Sequence, residues 1–153
     1  MHTSLIHLNQ SIKPEEYQKG ADHGKLMSNK AGLVTGAGSG IGRTTAITFA
    51  KEGASVMVSD FNEESGKETV KMIRDLGGTA EFFPCDVSDE EQVKELVRAT
   101  VKIFGKLDFA FNNAGTNGVF APITQLDSSV FERVMKINVF GVWNCLKYEI
   151  EAM

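Results

Sequence analysis

At 153 residues, with 42% hydrophobic and 24% charged residues, the chain has the balance of one soluble globular domain and is too short for two ordinary ones. A net charge of −4 offers no basic footprint for nucleic acid, and no apolar run approaches a membrane span, so neither partner is expected. Cys85 and Cys145 fit neither a disulfide framework nor a metal spacing, and the histidines (His2, His7, His23) all precede the patterned region. No metal site is expected, and without a basic-then-apolar leader a cytoplasmic location is.

Residues 1–28 are polar and mixed, broken by Pro14, Gly20 and Gly24, with Pro14-Glu15-Glu16-Tyr17 able to start a short helical turn. They read as an irregular arm, laid over a neighbouring subunit or else a disordered tail, and Met27 is itself a possible start. The domain is expected over 29–153. A strand is predicted at 32–35, a helix at 41–52 ended by Gly53, a strand at 55–59, and a helix at 63–76 stopped by Gly77-Gly78. A strand at 80–85 precedes Ser88-Asp89-Glu90-Glu91, a capping box. It opens a helix to about 104 with Val93, Leu96, Val97, Thr100, Val101 and Phe104 facing inward. A strand at 109–112 and one long helix, capped by Asp127 and running from Ser128 to near the end, complete the pattern. Short apolar strands alternating with helices predict a doubly wound parallel α/β sheet in three layers, with strand order 3-2-1-4. That order reverses between the first and fourth strands, where a ligand is expected.

The first strand runs into Thr35-Gly36-Ala37-Gly38-Ser39-Gly40-Ile41-Gly42. A strand, a glycine turn and a helix present free N–H groups and a helix dipole to phosphate. The spacing is not G-x-G-x-x-G, because Ile41 stands where the third glycine belongs, nor a P-loop, because Ala37 and Arg43 replace its glycine and lysine. Asp60, after the second strand, suits ribose hydroxyls and opposes a 2′-phosphate; with Ser39 and Phe61 supplying no cation, NAD is favoured over NADP. The blander alternative is that Asp60 caps the next helix. Asp86 is placed to accept from an adenine amino group with Val87 packed on the ring, unless Asp86 is a solvated turn residue. Asn112-Asn113-Ala114-Gly115 puts two amides at a strand end, either beside a nucleotide or satisfying loop backbone. In the last helix Asn138 interrupts an apolar stripe of Phe131, Val134, Val142 and Cys145. Such an amide needs partners, either in its own helix, opening a carbonyl to water, or in a neighbouring loop.

Together Thr35-Gly36, Gly40-Ile41-Gly42, Asp60, Asp86-Val87, Asn112-Asn113-Ala114-Gly115 and Lys136-Ile137-Asn138-Val139 resemble the short-chain dehydrogenase/reductase family over 30–153. The resemblance implies a Rossmann-like fold, a homo-oligomer, and hydride transfer between NAD(H) and a small alcohol or ketone. Carried over, Gly36, Ser39, Gly40, Ile41 and Gly42 hold pyrophosphate, Asp60 the ribose, and Asp86 and Val87 the adenine. Asn113, Ala114 and Gly115 line the cofactor, and Asn138 is the catalytic-group asparagine that holds a relay water. The family's serine and Tyr-x-x-x-Lys pair are not in these residues: Tyr17 is followed at the lysine spacing by Ala21, and Tyr148 by Ala152. The chain therefore reads as the cofactor-binding part of such an enzyme, its catalytic part missing, and inactive alone. A non-catalytic nucleotide-binding or interaction module is the alternative. A SAM-dependent methyltransferase is disfavoured by Asn112-Asn113-Ala114-Gly115.

Overall fold

Four strands, Ala31–Thr35 (β1), Ser55–Asp60 (β2), Thr79–Pro84 (β3) and Phe109–Phe111 (β4), form one parallel sheet in a computed structural model that describes residues 24–153. Their order is β3-β2-β1-β4, as expected of a Rossmann-like sheet, with Leu33 paired to Met57 on one side and to Ala110 on the other. The central β1 is buried along its whole length, which is why it reads as an apolar run without polar alternation. Residues 1–23, and with them most of the expected arm, lie outside the described residues. Residues 25–30 turn back onto the domain through Met27 N–H and the Glu52 carbonyl, at 2.9 Å.

Helices Gly40–Lys51 (α1) and Glu63–Asp75 (α2) cover one face of the sheet, over Val34, Val56 and Val58, with Ile73 of α2 packed among them. Ala46 and Ala50 keep α1 close to the strands. Helix Glu90–Phe104 (α3) and the end of the chain cover the other face, placing Val93, Leu96 and Cys145 over Leu33 and Met57. Neighbours such as Leu33 and Val34 serve opposite cores because strand side chains alternate. Each fully buried Leu, Ile, Val or Met contributes about 1.5–3 kcal/mol relative to exposure. At the amino end of the sheet, Asp108 accepts from Ala31 N–H at 2.9 Å and pairs with Lys106 at 2.9 Å.

Three local expectations are corrected. First, α3 is capped by Asp89, which accepts from Glu91 N–H and Gln92 N–H, rather than by Ser88, whose hydroxyl donates to Asp86. A carboxylate offers more acceptor positions than a hydroxyl, so it takes the orphan amides. Second, β4 ends at Phe111, because Asn113 N–H leaves the ladder for the Thr35 hydroxyl, at 3.0 Å. Third, the last helix is not one regular helix. Ser128–Met135 (α4) and Gly141–Ala152 (α5) are joined by a π turn over Lys136–Phe140. The apolar stripe read through it does not exist as one face: Phe131 is 65% exposed, while Gly141, Asn144, Cys145 and Glu149 face inward from α5. A π turn takes an additional residue, so α spacing does not carry a face across it. Among the described residues no helix is long and apolar enough to cross a membrane.

Candidate functional site

A cleft of about 570 Å³ opens beyond the carboxyl ends of β1 and β4, where the strand order reverses. Its base is a seam between two turns. Thr35 Oγ1 accepts from Asn113 N–H at 3.0 Å and from Ala114 N–H at 3.1 Å. Asn113 Nδ2 donates back to the carbonyls of Thr35 and Gly36, at 3.1 and 3.2 Å. The seam leaves no room for side chains: a Cβ on Gly36 (φ +61) would lie 2.8 Å from Ala114 Cα. One on Gly42 would lie 2.2 Å from the Gly36 carbonyl oxygen.

Above the seam, α1 starts at the cleft. Its N-cap, Ser39, makes no side-chain capping bond, whereas Asn62, Asp89 and Asp127 each cap the next helices α2, α3 and α4. The first amides of α1 therefore keep their donors and the positive end of the helix dipole. Beneath the turn Arg43 reaches from α1 to α2, donating to the Gly38 carbonyl, to Thr69 Oγ1 at 3.0 Å and to Glu68 at 2.7 Å.

Asp60 leaves β2 only 9% exposed and binds two backbone amides, Gly38 N–H to Oδ2 at 2.8 Å and Asn62 N–H to Oδ1 at 2.9 Å. An ionised carboxylate has about four acceptor positions, so the cleft side keeps the remainder. The alternative that Asp60 caps α2 does not hold, because Asn62 accepts from Ser65 N–H in that role. Beyond β3, Cys85 lines the cleft as a neutral thiol, pushed up to about 12 by burial and then by Asp86. Asp86 is exposed and holds Ser88 N–H and Oγ with Oδ1, at 2.9 and 2.8 Å. Val87 is fixed from behind, its carbonyl accepting from Asn144 Nδ2 at 3.1 Å and its side chain set against Gly141.

Gly36, Ser39, Gly40, Ile41, Asp60, Asp86, Val87, Asn113, Ala114 and Gly115 all line this cleft. Gly42 does not; it packs α1 against the turn. Asn138 does not line it either. Its Oδ1 accepts from Thr116 N–H and its Nδ2 donates to the Thr116 carbonyl, each at 2.8 Å, so the neighbouring loop is its partner. Sequence reasoning passed over Thr35, Arg43, Arg133 and Ile137. Thr35 opens the glycine motif and Ile137 precedes Asn138 in a recognisable run, but nothing marked Arg133, which reaches the cleft from α4.

Uncapped amides for an anion, a seated carboxylate for hydroxyls, and Val87 with Ile137 as apolar walls for a flat ring are a donor set that fits a dinucleotide. Among the described residues no group of three His, Cys, Asp or Glu side chains could hold a metal.

A family model described as short chain dehydrogenase matches residues 30–153. The chain is 44% identical, over 127 residues, to 2,5-dichloro-2,5-cyclohexadiene-1,4-diol dehydrogenase of Sphingobium indicum, covering 83% of this chain and 50% of that protein. It is similar to a solved NAD⁺-bound xylitol dehydrogenase, with TM-score 0.82 and 42% identity over 84% of this chain and 50% of that one. It is similar also to a 7α-hydroxysteroid dehydrogenase complexed with NADH and 7-oxo glycochenodeoxycholic acid, with TM-score 0.78 and 36% identity, over 83% and 49%. The chain spans about half the length of these relatives. The family match takes in the whole sheet and every element that lines the cleft, and the chain therefore belongs to the short chain dehydrogenase family.

Proposed function

We propose that the cleft binds NAD(H) and that the chain is the cofactor-binding part of an oxidoreductase acting on an alcohol or ketone. The observation that carries this reading is the bare N-terminus of α1, uncapped where α2, α3 and α4 are capped, and opening on the cleft beside Asp60. In this reading the amides at Ser39, Gly40 and Ile41 bind the pyrophosphate, and the free acceptor positions of Asp60 take the adenosine ribose hydroxyls. Asp86 and Val87 receive the adenine, while Asn113, Ala114 and Gly115 form the wall along which the rest of the dinucleotide runs. When bound, the nicotinamide supplies or accepts the hydride. Asn138 holds Thr116 and with it the loop beyond Gly115, so in the whole protein it acts as a positioning residue for the proton-transfer group. Two of the similar solved structures hold NAD⁺ or NADH, and the relatives are dehydrogenases of a diol, of xylitol and of a hydroxysteroid, which supports the cofactor and the substrate class. The family's serine and Tyr-x-x-x-Lys are not among these 153 residues, so turnover is not expected of them alone.

Calorimetric titration with NAD and NADP tests the reading. A 2′-phosphate charge ~4 Å from the Asp60 carboxylate, at an effective dielectric of ~20, costs about 4 kcal/mol, roughly a thousandfold. NAD should bind tighter, and Asp60→Ala should narrow the gap while weakening NAD, since Gly38 N–H loses its partner. Equal or tighter binding of NADP by the unaltered chain would overturn the assignment.

A further inference from the structure

Glu149 lies on the inner side of α5, 2% exposed, with Oε2 accepting from Asn112 Nδ2 at 2.8 Å. The other two oxygens of the pair, Glu149 Oε1 and Asn112 Oδ1, are also buried, and neither has a hydrogen-bond partner. An ionised carboxylate only accepts, and an amide oxygen only accepts, so the pair as ionised carries two orphans that nothing within it can satisfy. One proton resolves both. Placed on Oε1 it makes that atom a donor, and Asn112 Oδ1, on the amide that already donates to Oε2, is the acceptor left over. Carboxyl and carboxamide are planar groups with broad terminal torsions, and Oε1–H···Oδ1 with Nδ2–H···Oε2 is the two-bond ring in which every polar atom of the pair has a partner.

The surroundings agree. Cys145 stands one turn before Glu149 among the buried residues of α5 and packs in one cluster with Cys85, which follows β3; the neutral Asn112 follows β4. The cations of α3, which packs along α5, are engaged or exposed at the surface: Lys94 pairs with Glu91, Arg98 with Glu95, and Lys102 is exposed. Lys147 and Tyr148, on α5 itself, are bound to Glu90. No cation pairs with Glu149 among the described residues, and burial raises its pKa against a smaller opposing effect of the Asn112 amide. A bare carboxylate there would be a buried charge without compensation.

We propose that Glu149 is carried as the neutral acid, locks Asn112 in an acid–amide ring, and is thereby a positioning residue for the cleft. Asn112 directly precedes Asn113, whose amide and side chain hold Thr35 and Gly36, so the ring fixes the strand end from which the glycine turn is gripped. The positioning role rests on the NAD reading of the cleft; the neutral acid does not.

The test follows the purified chain from mildly acidic to mildly alkaline pH by carboxyl-carbon NMR of Glu149, by thermal unfolding and by NAD titration. The Glu149 signal should titrate above the ordinary carboxylate range. Because the folded chain then keeps a proton that the unfolded chain releases above its ordinary value of 4.5, stability should fall as pH rises from there to the folded titration point. Glu149→Gln keeps a donor and an acceptor without a titratable group; it should retain NAD affinity and lack the fall that the unaltered chain shows. NAD affinity of the unaltered chain should weaken as Glu149 titrates, whereas Glu149→Ala should hold it, with no such pH dependence, about tenfold below the value of the unaltered chain at mildly acidic pH. If Glu149→Ala does not fold, the glutamine variant and the NMR titration decide. A Glu149 signal titrating in or below the ordinary range overturns the proposal, as does a stability difference between unaltered chain and glutamine variant that is the same at every pH. A chain that binds no NAD at any pH overturns the cofactor reading and the positioning role, while the carboxyl titration still decides the neutral acid.

Discussion

Thr35→Val removes one hydroxyl from the seam under the cleft and keeps the side chain's shape. That hydroxyl is the acceptor for two backbone amides from the opposite turn, Asn113 N–H and Ala114 N–H, and Thr35 is itself buried at the end of the central strand. Valine offers neither amide a replacement. Leaving a buried donor unmet costs about 1–3 kcal/mol; both sites are part-buried, which places the pair near the lower end, at about 2–3 kcal/mol together. Thr35→Ser is the control, since it keeps the oxygen and loses one methyl, for about 1 kcal/mol. Urea unfolding of the three proteins measures both numbers. NAD titration should show valine weakening the cofactor about tenfold or more and serine much less, because the two amides belong to the wall that carries Asn113 and Ala114. A valine variant within about 0.5 kcal/mol of the serine variant would show that the seam is not held by this hydroxyl.

Further outcomes are expected. The Asp108 carboxyl is held down at about 2, first by Ala31 N–H and then by Lys106, so its stabilisation is complete above its ordinary 3.8 and is lost as pH falls towards 2. Asp108→Asn should therefore flatten that part of the acid unfolding curve, and an unchanged curve would contradict this. Asn138→Ala should speed hydrogen exchange at the Thr116 amide; in a longer protein that includes the serine and Tyr-x-x-x-Lys, it should lower turnover more than NAD affinity. These 153 residues alone should reduce no NAD with an alcohol, since losing a positioned acid or base typically removes roughly 10²–10⁴ in rate. Measurable reduction would mean the catalytic group has been misidentified. The chain should associate, because Phe140, Trp143, Leu146 and Ile150 are exposed and β4 is an open sheet edge. Sedimentation as a stable micromolar monomer would refute it.

The parallel α/β fold is legible because its signals are local and repeated: a buried run in β1, acidic helix starts at α2 and α3, glycines at helix ends, and strands alternating with helices; the sheet order comes with the family resemblance. The place of the cleft followed from that order. What escaped the reading depends on partners distant along the chain. Glu149 looks like a solvent-facing residue of a helix until Asn112 is brought to it, and Arg43 looks like an ordinary helix cation until α2 arrives beneath it. Thr35 stands inside the motif, but its acceptor role needs the turn after β4. The stripe through Asn138 is lost for another reason: its constant period does not hold across the π turn, where the winding changes.

That π turn also governs where the chain tolerates changes of length. Losing one residue between 136 and 140 would restore ordinary α winding while leaving α4 and α5 facing as they do now, since the turn holds one residue more than the helix around it needs. The same loss inside α5 would swing everything after it by about 100°. A loss ahead of Cys145 would then turn Cys145 and Glu149 out of the core they help to fill. The helix thus has a slack point, and it lies beside the cleft rather than over the sheet, so insertions and deletions there act on the ligand's surroundings before they reach the packing.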